Sequence, residues 1–209
     1  RLEVEEACLA LADMVVARTR HARDEQYARY YNGKVPKFEV IPPGTDLDRF
    51  FPYYDYELPG IEIAETYKQA RVRMMDELGR FHFHQQKPLI LALCRPDKRK
   101  NISAIVEAYG KNKELQALAN LAVFAGIRKS INDMEESERE VLTEILLLMD
   151  QYDLYGKMAI PKRHESHYEV PELYRLAASL KGVFVNPAFV EPFGLTFIES
   201  AADGLPFVG

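Results

Sequence analysis

Two short stretches hold the residues with the clearest capacity for chemistry. One is Glu191-Pro-Phe-Gly-Leu-Thr-Phe-Ile-Glu199, two carboxylates eight positions apart across a glycine-containing turn. It follows Gly182-Val-Phe-Val-Asn186, a run without polar alternation that reads as a buried parallel strand, and leads into a helical pattern from Leu195 to Ala202. Glu191 is therefore expected on a strand-to-helix loop and Glu199 one to two turns into the helix. An ionised carboxylate only accepts hydrogen bonds, so the pair suits neutral hydroxyls, while the loop N–H groups at Gly194, Leu195 and Thr196 suit an anion or sugar hydroxyls. The plain alternative for Glu199 is an exposed helix residue. Its neighbours Phe197, Ile198, Ala201 and Ala202 surround it with apolar groups, however, and a carboxylate there needs a partner.

The other stretch is Arg95-Pro-Asp-Lys-Arg-Lys100-Asn101, which follows the apolar run Pro88 to Cys94 and precedes a helix. Cations beside a helix N-terminus form an anion site in which Arg95 forks phosphate oxygens and Lys100 adds a point charge. The competing reading is a solvated basic turn capped by Asn101 or Ser103.

Weaker constellations are set aside. Asp46-Leu-Asp48 has metal-site spacing but follows the Pro42-Pro43-Gly44 stop, so helix capping is the better reading. His82 and His84 show no third ligand and read as part of a surface linker. His164 and His167 do not match zinc-protease spacing, although they follow a strand and so belong near a cleft. A phosphate-loop motif, a nucleophile elbow and a dinucleotide fingerprint are all absent from the sequence.

The elements that must position these residues alternate. Strands are expected at 13–19, 38–41, 88–94, 121–126, 157–160, 182–186 and 206–208. Helices are expected at 1–12, 21–31, 63–79 (within an otherwise linker-like 45–87), 101–110, 135–151, 170–180 and 194–203. This order implies an α/β architecture, a Rossmann-like parallel sheet with helices on both faces and ligands at the carboxyl ends of its strands. The 209 residues carry a net charge of −5, which argues against a nucleic-acid partner. No apolar run reaches membrane-span length, and the two cysteines, Cys8 and Cys94, read as reduced buried thiols of a cytoplasmic protein. The abrupt ends, Arg1-Leu-Glu and Pro206-Phe-Val-Gly209, suggest a piece of a longer protein.

The same stretches carry a family resemblance. Residues 191–199 resemble the E-x7-E motif, and Arg95-Pro-Asp-Lys-Arg-Lys-Asn101 the phosphate motif, of retaining glycosyltransferases with the GT-B fold, family 4. The segment Ile41-Pro-Pro-Gly-Thr-Asp46 resembles the entry into their second domain. The stretches 1–13, 148–164 and 170–196 are more narrowly similar to the sucrose-phosphate synthase family, and Pro192 distinguishes them from sucrose synthases. The resemblance implies that 1–36 ends an acceptor-binding domain and that 37–209 form most of a donor-binding domain, truncated at its far end.

It also implies transfer of glucose from UDP-glucose to fructose 6-phosphate, with no metal or other cofactor. Arg95 and Lys100 take the diphosphate. Glu199 takes the ribose, and Glu191 with Phe193, Gly194, Leu195 and Thr196 takes the glucose and phosphate. Arg95, Lys100 and Glu191 are the catalytic candidates, and Arg1 is matched to the acceptor phosphate. The catalytic loop of the first domain is not in this chain, so the piece alone is expected to be inactive. Two rivals stand beside this reading: another family 4 enzyme, such as sucrose synthase or mannosylfructose-phosphate synthase, and a noncatalytic nucleotide-sugar-binding module. The resemblance leaves the oligomeric state open.

Overall fold

The computed structural model describes residues 2–209, which form two compact units. The first comprises residues up to Thr45 together with Glu191–Leu195, and the second comprises Asp46–Val190 and Thr196–Gly209.

In the first unit, helix α1 (Leu2–Leu11) precedes strand β1 (Met14–Ala17), which pairs in parallel with β2 (Lys37–Val40). The helix expected over 21–31 is instead one wide π-type turn, Ala22–Gln26, and one 3-10 turn, Tyr27–Arg29. The carboxylate of Glu6 accepts from the N–H groups of Tyr31 (2.7 Å) and Asn32 (2.9 Å), which draws that end out of helical geometry. Cys8 is exposed rather than buried, whereas its neighbour Leu9 on α1 is buried.

The second unit is built on five parallel strands in the order β5-β4-β3-β6-β7: β3 (Leu89–Cys94), β4 (Asn120–Ala125), β5 (Met158–Ala159), β6 (Val183–Val185) and β7 (Phe207–Val208). Alternate residues of β4 feed two cores. Ala122 and Phe124 pack with Leu91, Phe184 and Tyr174, while Leu121, Val123 and Ala125 pack with Val106, Leu142 and Ile145. A strand buried on both faces needs this unbroken apolar run, which is why the sequence lacks polar alternation here.

Helices α2 (Glu65–Gly79), α6 (Glu169–Ser179) and α7 (Leu195–Ala202) accompany the first core. The second core is covered by α3 (Ile102–Lys111) and α5 (Glu136–Gln151). A short α4 (Lys113–Leu118), capped by Asn112 accepting from Leu115 N–H, was not visible in the sequence pattern. Gly182, before β6, passes so close to the β3 backbone that an added Cβ would lie 2.1 Å from the Leu89 carbonyl oxygen.

The stretch 45–87 is less of a linker than expected. Phe50, Met74 and Leu78 enter the core, and so does His82, at 5% exposure, whose ring nitrogen lies 3.0 Å from the Leu121 carbonyl oxygen. A carbonyl only accepts, so His82 donates through Nε2, and burial pushes its pKa down. His82 is thus a core histidine, not a surface one.

Beneath α7 lies a buried ionic group. Arg175 of α6 is fully buried and bonds Glu172 (2.8 Å) and Asp203 (2.7 Å). Burial pushes the Asp203 carboxyl up to about 8, with Arg175 opposing and Glu172 adding to the rise. Because the folded value exceeds the unfolded one, near 4, this contribution to stability is fully present below about pH 4 and is lost as pH rises through 8. Thermal unfolding between pH 5 and 9 should show Tm falling more steeply in wild type than in Asp203→Asn. Parallel Tm–pH curves would contradict the assignment.

Candidate functional site

The sheet reverses its winding between β3 and β6. β4 and β5 extend it on one side and β6 and β7 on the other, and the crevice outside the carboxyl ends at such a reversal is where α/β sheets bind ligands. The loops leaving these two strands are tied together. Phe189 N–H donates to the Arg99 carbonyl at 3.1 Å, and Asn101 Nδ2 donates to the Pro187 carbonyl at 3.2 Å.

Asp97, rather than Asn101 or Ser103, caps the short turn Lys98–Lys100 by accepting from Arg99 N–H at 2.9 Å. The Arg99 side chain also holds the Asp97 carboxyl well below the usual carboxylate range. Asn101 takes a left-handed conformation (φ 51°, ψ 32°), and Ser103 bonds Glu144 at 2.8 Å. The structure therefore brings Arg95, exposed, and Lys100, half-buried, onto one turn at the β3 tip. Arg99 and Lys98, engaged with Asp97 and Glu140, belong to the scaffold of that turn.

Glu191, Phe193, Gly194 and Leu195 cluster with the first unit. Glu191 and Phe193 are half-buried, Gly194 is buried, and its φ of 79° is one that L side chains rarely adopt. Helix α7 then carries Thr196 and Glu199 within the second unit. Glu199 is half-buried. Burial pushes its carboxyl up and the Arg49 charge pulls it back. Arg1 lies outside the described residues.

The sequence reading missed Arg49. Its Nε donates to the His167 carbonyl at 3.0 Å, its Nη2 to the Ser166 carbonyl, and its guanidinium lies 4.7 Å from the Phe50 ring centroid. Nearby, Asp46 Oδ1 accepts from Asp48 N–H at 3.1 Å, so the Asp-x-Asp pair closes a turn rather than capping a helix. Among the described residues, no three His, Cys, Asp or Glu side chains cluster to hold a metal.

Arg128, also missed, is buried after β4. It donates to the carbonyls of Ile160 (3.2 Å) and Pro161 (3.1 Å), which joins the β4 and β5 exits. His164 packs edge-on against Phe124 at 5.6 Å, and burial lowers its pKa, whereas His167 is exposed. Two cavities flank the sheet. One of about 300 Å³ sits at the amino ends of the strands, beside His82, Leu89 and Asn120. The other, of about 370 Å³, flanks Arg95 on the α5 side, beside Ser137.

A parallel sheet with a cationic loop after β3 and the Glu199-bearing helix α7 after β6 defines the class. The Glycosyl transferases group 1 family model matches residues 76–209, and the chain belongs to this family. It is 41% identical to "Probable sucrose-phosphate synthase 2" of Arabidopsis thaliana over 230 aligned positions, which take in 100% of this chain and 22% of that protein. It is 40% identical to the sucrose-phosphate synthase of Zea mays over 237 positions, with 100% and 22% covered. The chain thus spans about a fifth of the length of the curated relatives it matches.

Among solved structures it resembles Anabaena HepE in complex with UDP and glucose, at TM-score 0.66 and 13% identity, covering 99% of this chain and 46% of HepE. It also resembles the catalytic domain of starch synthase IV from Arabidopsis thaliana bound to ADP and acarbose, at TM-score 0.63 and 16% identity, covering 97% and 40%. These likenesses establish the GT-B type of fold. Among the described residues, no helix is long and apolar enough to cross a membrane.

Asn101 tests the loop tie. Asn101→Ala should cost about 2 kcal/mol in chemical denaturation, combining the left-handed backbone cost with the lost bond to Pro187. Asn101→Gly should cost about 1 kcal/mol, since only the bond is lost. Equal losses would show that the backbone conformation carries no cost.

Proposed function

We propose that this chain is part of a retaining glycosyltransferase that moves glucose from UDP-glucose to fructose 6-phosphate, giving sucrose 6-phosphate. In this reading residues 1–36 end the acceptor-binding domain and 37–209 form most of the donor-binding domain. The observation that carries it is the bonded pair of loops at the β3–β6 reversal, with Arg95 and Lys100 on one and the path to Glu199 leaving the other. The similarity to sucrose-phosphate synthases supports the choice of substrates.

In this reading Arg95 and Lys100 hold the diphosphate. Breaking the bond from glucose to the β-phosphate leaves added negative charge on UDP, so cations fixed there favour the transition state over the ground state. Each well-placed charge pair supplies on the order of 4 kcal/mol at an effective dielectric near 20. Neutralisation by side chains makes a bound metal unnecessary. Glu199 accepts from the ribose hydroxyls, and the Arg49 charge partly offsets the burial that raises its carboxyl. Glu191 and the N–H groups from Phe193 to Thr196 hold the glucose and phosphate. Arg1 takes the phosphate of fructose 6-phosphate. The departing phosphate accepts the acceptor's proton as the new bond forms on the same face of the sugar. The 209-residue chain by itself is not expected to transfer glucose, because it contributes little of the acceptor side.

Arg95→Ala and Lys100→Ala in the full-length protein should each cost roughly 2–4 kcal/mol of transition-state stabilisation, read as kcat, with little change in Tm. Unchanged kcat in both would remove the diphosphate assignment. Glu199→Gln should weaken UDP binding by about 1.5–3 kcal/mol, whereas Glu191→Gln should mainly lower kcat. A UDP titration reads the first and turnover at saturating donor reads the second; the reverse pattern would exchange the two roles.

A further inference from the structure

Arg175 touches no residue assigned to the substrates, yet its bonds lead to the Arg49 backbone and, through Asp203, to the turn that bears Glu199. Its Nη1 donates to Asp203 Oδ1 at 2.7 Å and to the Arg49 carbonyl at 3.1 Å. Asp203 follows the last turn of α7, and its N–H donates to the Glu199 carbonyl at 3.1 Å, so displacing Asp203 displaces the turn that bears Glu199. The Asp203 carbonyl accepts from Tyr53 N–H at 3.2 Å, which fastens the same turn to the segment after Arg49. Arg49, held by its backbone on Arg175, extends its side chain across Phe50 to the His167 carbonyl and supplies the charge that opposes the burial of Glu199.

The plane of Arg175 is fixed independently. Its Nε donates to Glu172 Oε1 at 2.8 Å, the Phe51 ring lies 3.8 Å away, and Glu172 is itself held by Tyr56 (2.7 Å) and faced by Arg71 (3.6 Å).

We propose that Arg175 is a positioning residue for donor binding, whose double hold on Asp203 and the Arg49 backbone keeps Glu199 and the Arg49 guanidinium in register for a nucleotide's ribose. The inference rests on the reading of Glu199 as the ribose group. The geometry requires a guanidinium. A lysine ammonium in the same place carries the charge on a single atom and cannot face Glu172, Asp203 and the Arg49 carbonyl at once.

The test is a double-mutant cycle on the UDP affinity of the full-length protein, measured by calorimetry at fixed pH and salt. Arg175→Lys should raise the UDP Kd about tenfold in the wild-type background, the scale of one charge-assisted hydrogen bond. In the Glu199→Gln background it should raise Kd less than about twofold, because the group through which Arg175 acts is already disabled. The same factor in both backgrounds is what a merely structural role gives, and it would overturn the proposal, as would an unchanged Kd. If Arg175→Lys does not fold, Asp203→Asn, which keeps the size and one acceptor oxygen, enters the same cycle: a background-dependent rise in Kd supports the proposal, and an equal or absent one overturns it. An unchanged Kd in Glu199→Gln alone would overturn the ribose role and this proposal with it.

Discussion

A buried guanidinium shared by two carboxylates is the constraint on which the second unit depends. Arg175, Glu172 and Asp203 have no measurable contact with solvent, and burying a guanidinium with two carboxyl groups is costly unless each polar group finds its partner. Removing one member of a group of this kind typically costs about 3–5 kcal/mol, because the others stay buried without it. The energetic demand becomes a geometric one. The segment from Arg49 to Tyr56, the buried face of α6 and the end of α7 come from distant parts of the chain, yet they must arrive together for the charges to be satisfied. The cations Arg49, Arg71 and Arg175 also lie over the aromatic rings of Phe50, Tyr56, Phe51 and Tyr67, which adds attraction without requiring further acceptors.

The carboxyl edge of the sheet follows a similar economy. Short loops leave β3 and β6, and the bonds from Phe189 N–H to the Arg99 carbonyl and from Asn101 to the Pro187 carbonyl tie them to each other. Arg128 does the same for the exits of β4 and β5. Polar groups at such an edge are held at known heights while their side chains stay accessible, which is what recognition of a phosphate or a ribose demands. On the proposed reading, the reaction asks this unit for fixed positive charge and for hydroxyl acceptors, and for no proton-transferring residue of its own.

Most of the sheet was legible in the sequence because it depends on local pattern. The apolar runs at 89–94, 120–125 and 183–185 admit only buried strands between helical periodicities, and the family motifs locate both loops. What escaped the reading depends on partners far away in the chain. Arg49 and Arg175 look like ordinary surface cations until the fold brings Asp203 and Glu172 to them. His82 looks like a linker residue until β4 offers it the Leu121 carbonyl. The interrupted helix at 22–29 has acceptable propensity, but Glu5 and Glu6 of α1 offer hydrogen bonds to Tyr30, Tyr31 and Asn32 that outweigh it. Asp97 was read as part of a basic turn, although its place before Lys98 and Arg99 is that of a capping residue, a signal that was available.

The central claim is that this sheet edge holds a nucleotide sugar whose hexose is passed to a sugar phosphate. The most direct measurement is product analysis of the full-length protein given UDP-glucose and fructose 6-phosphate, with fructose, other nucleotide sugars and added chelator as parallel arms. The account predicts sucrose 6-phosphate from the first pair, with the glucose configuration retained and turnover undiminished by chelator. Absence of transfer from every nucleotide sugar would contradict it.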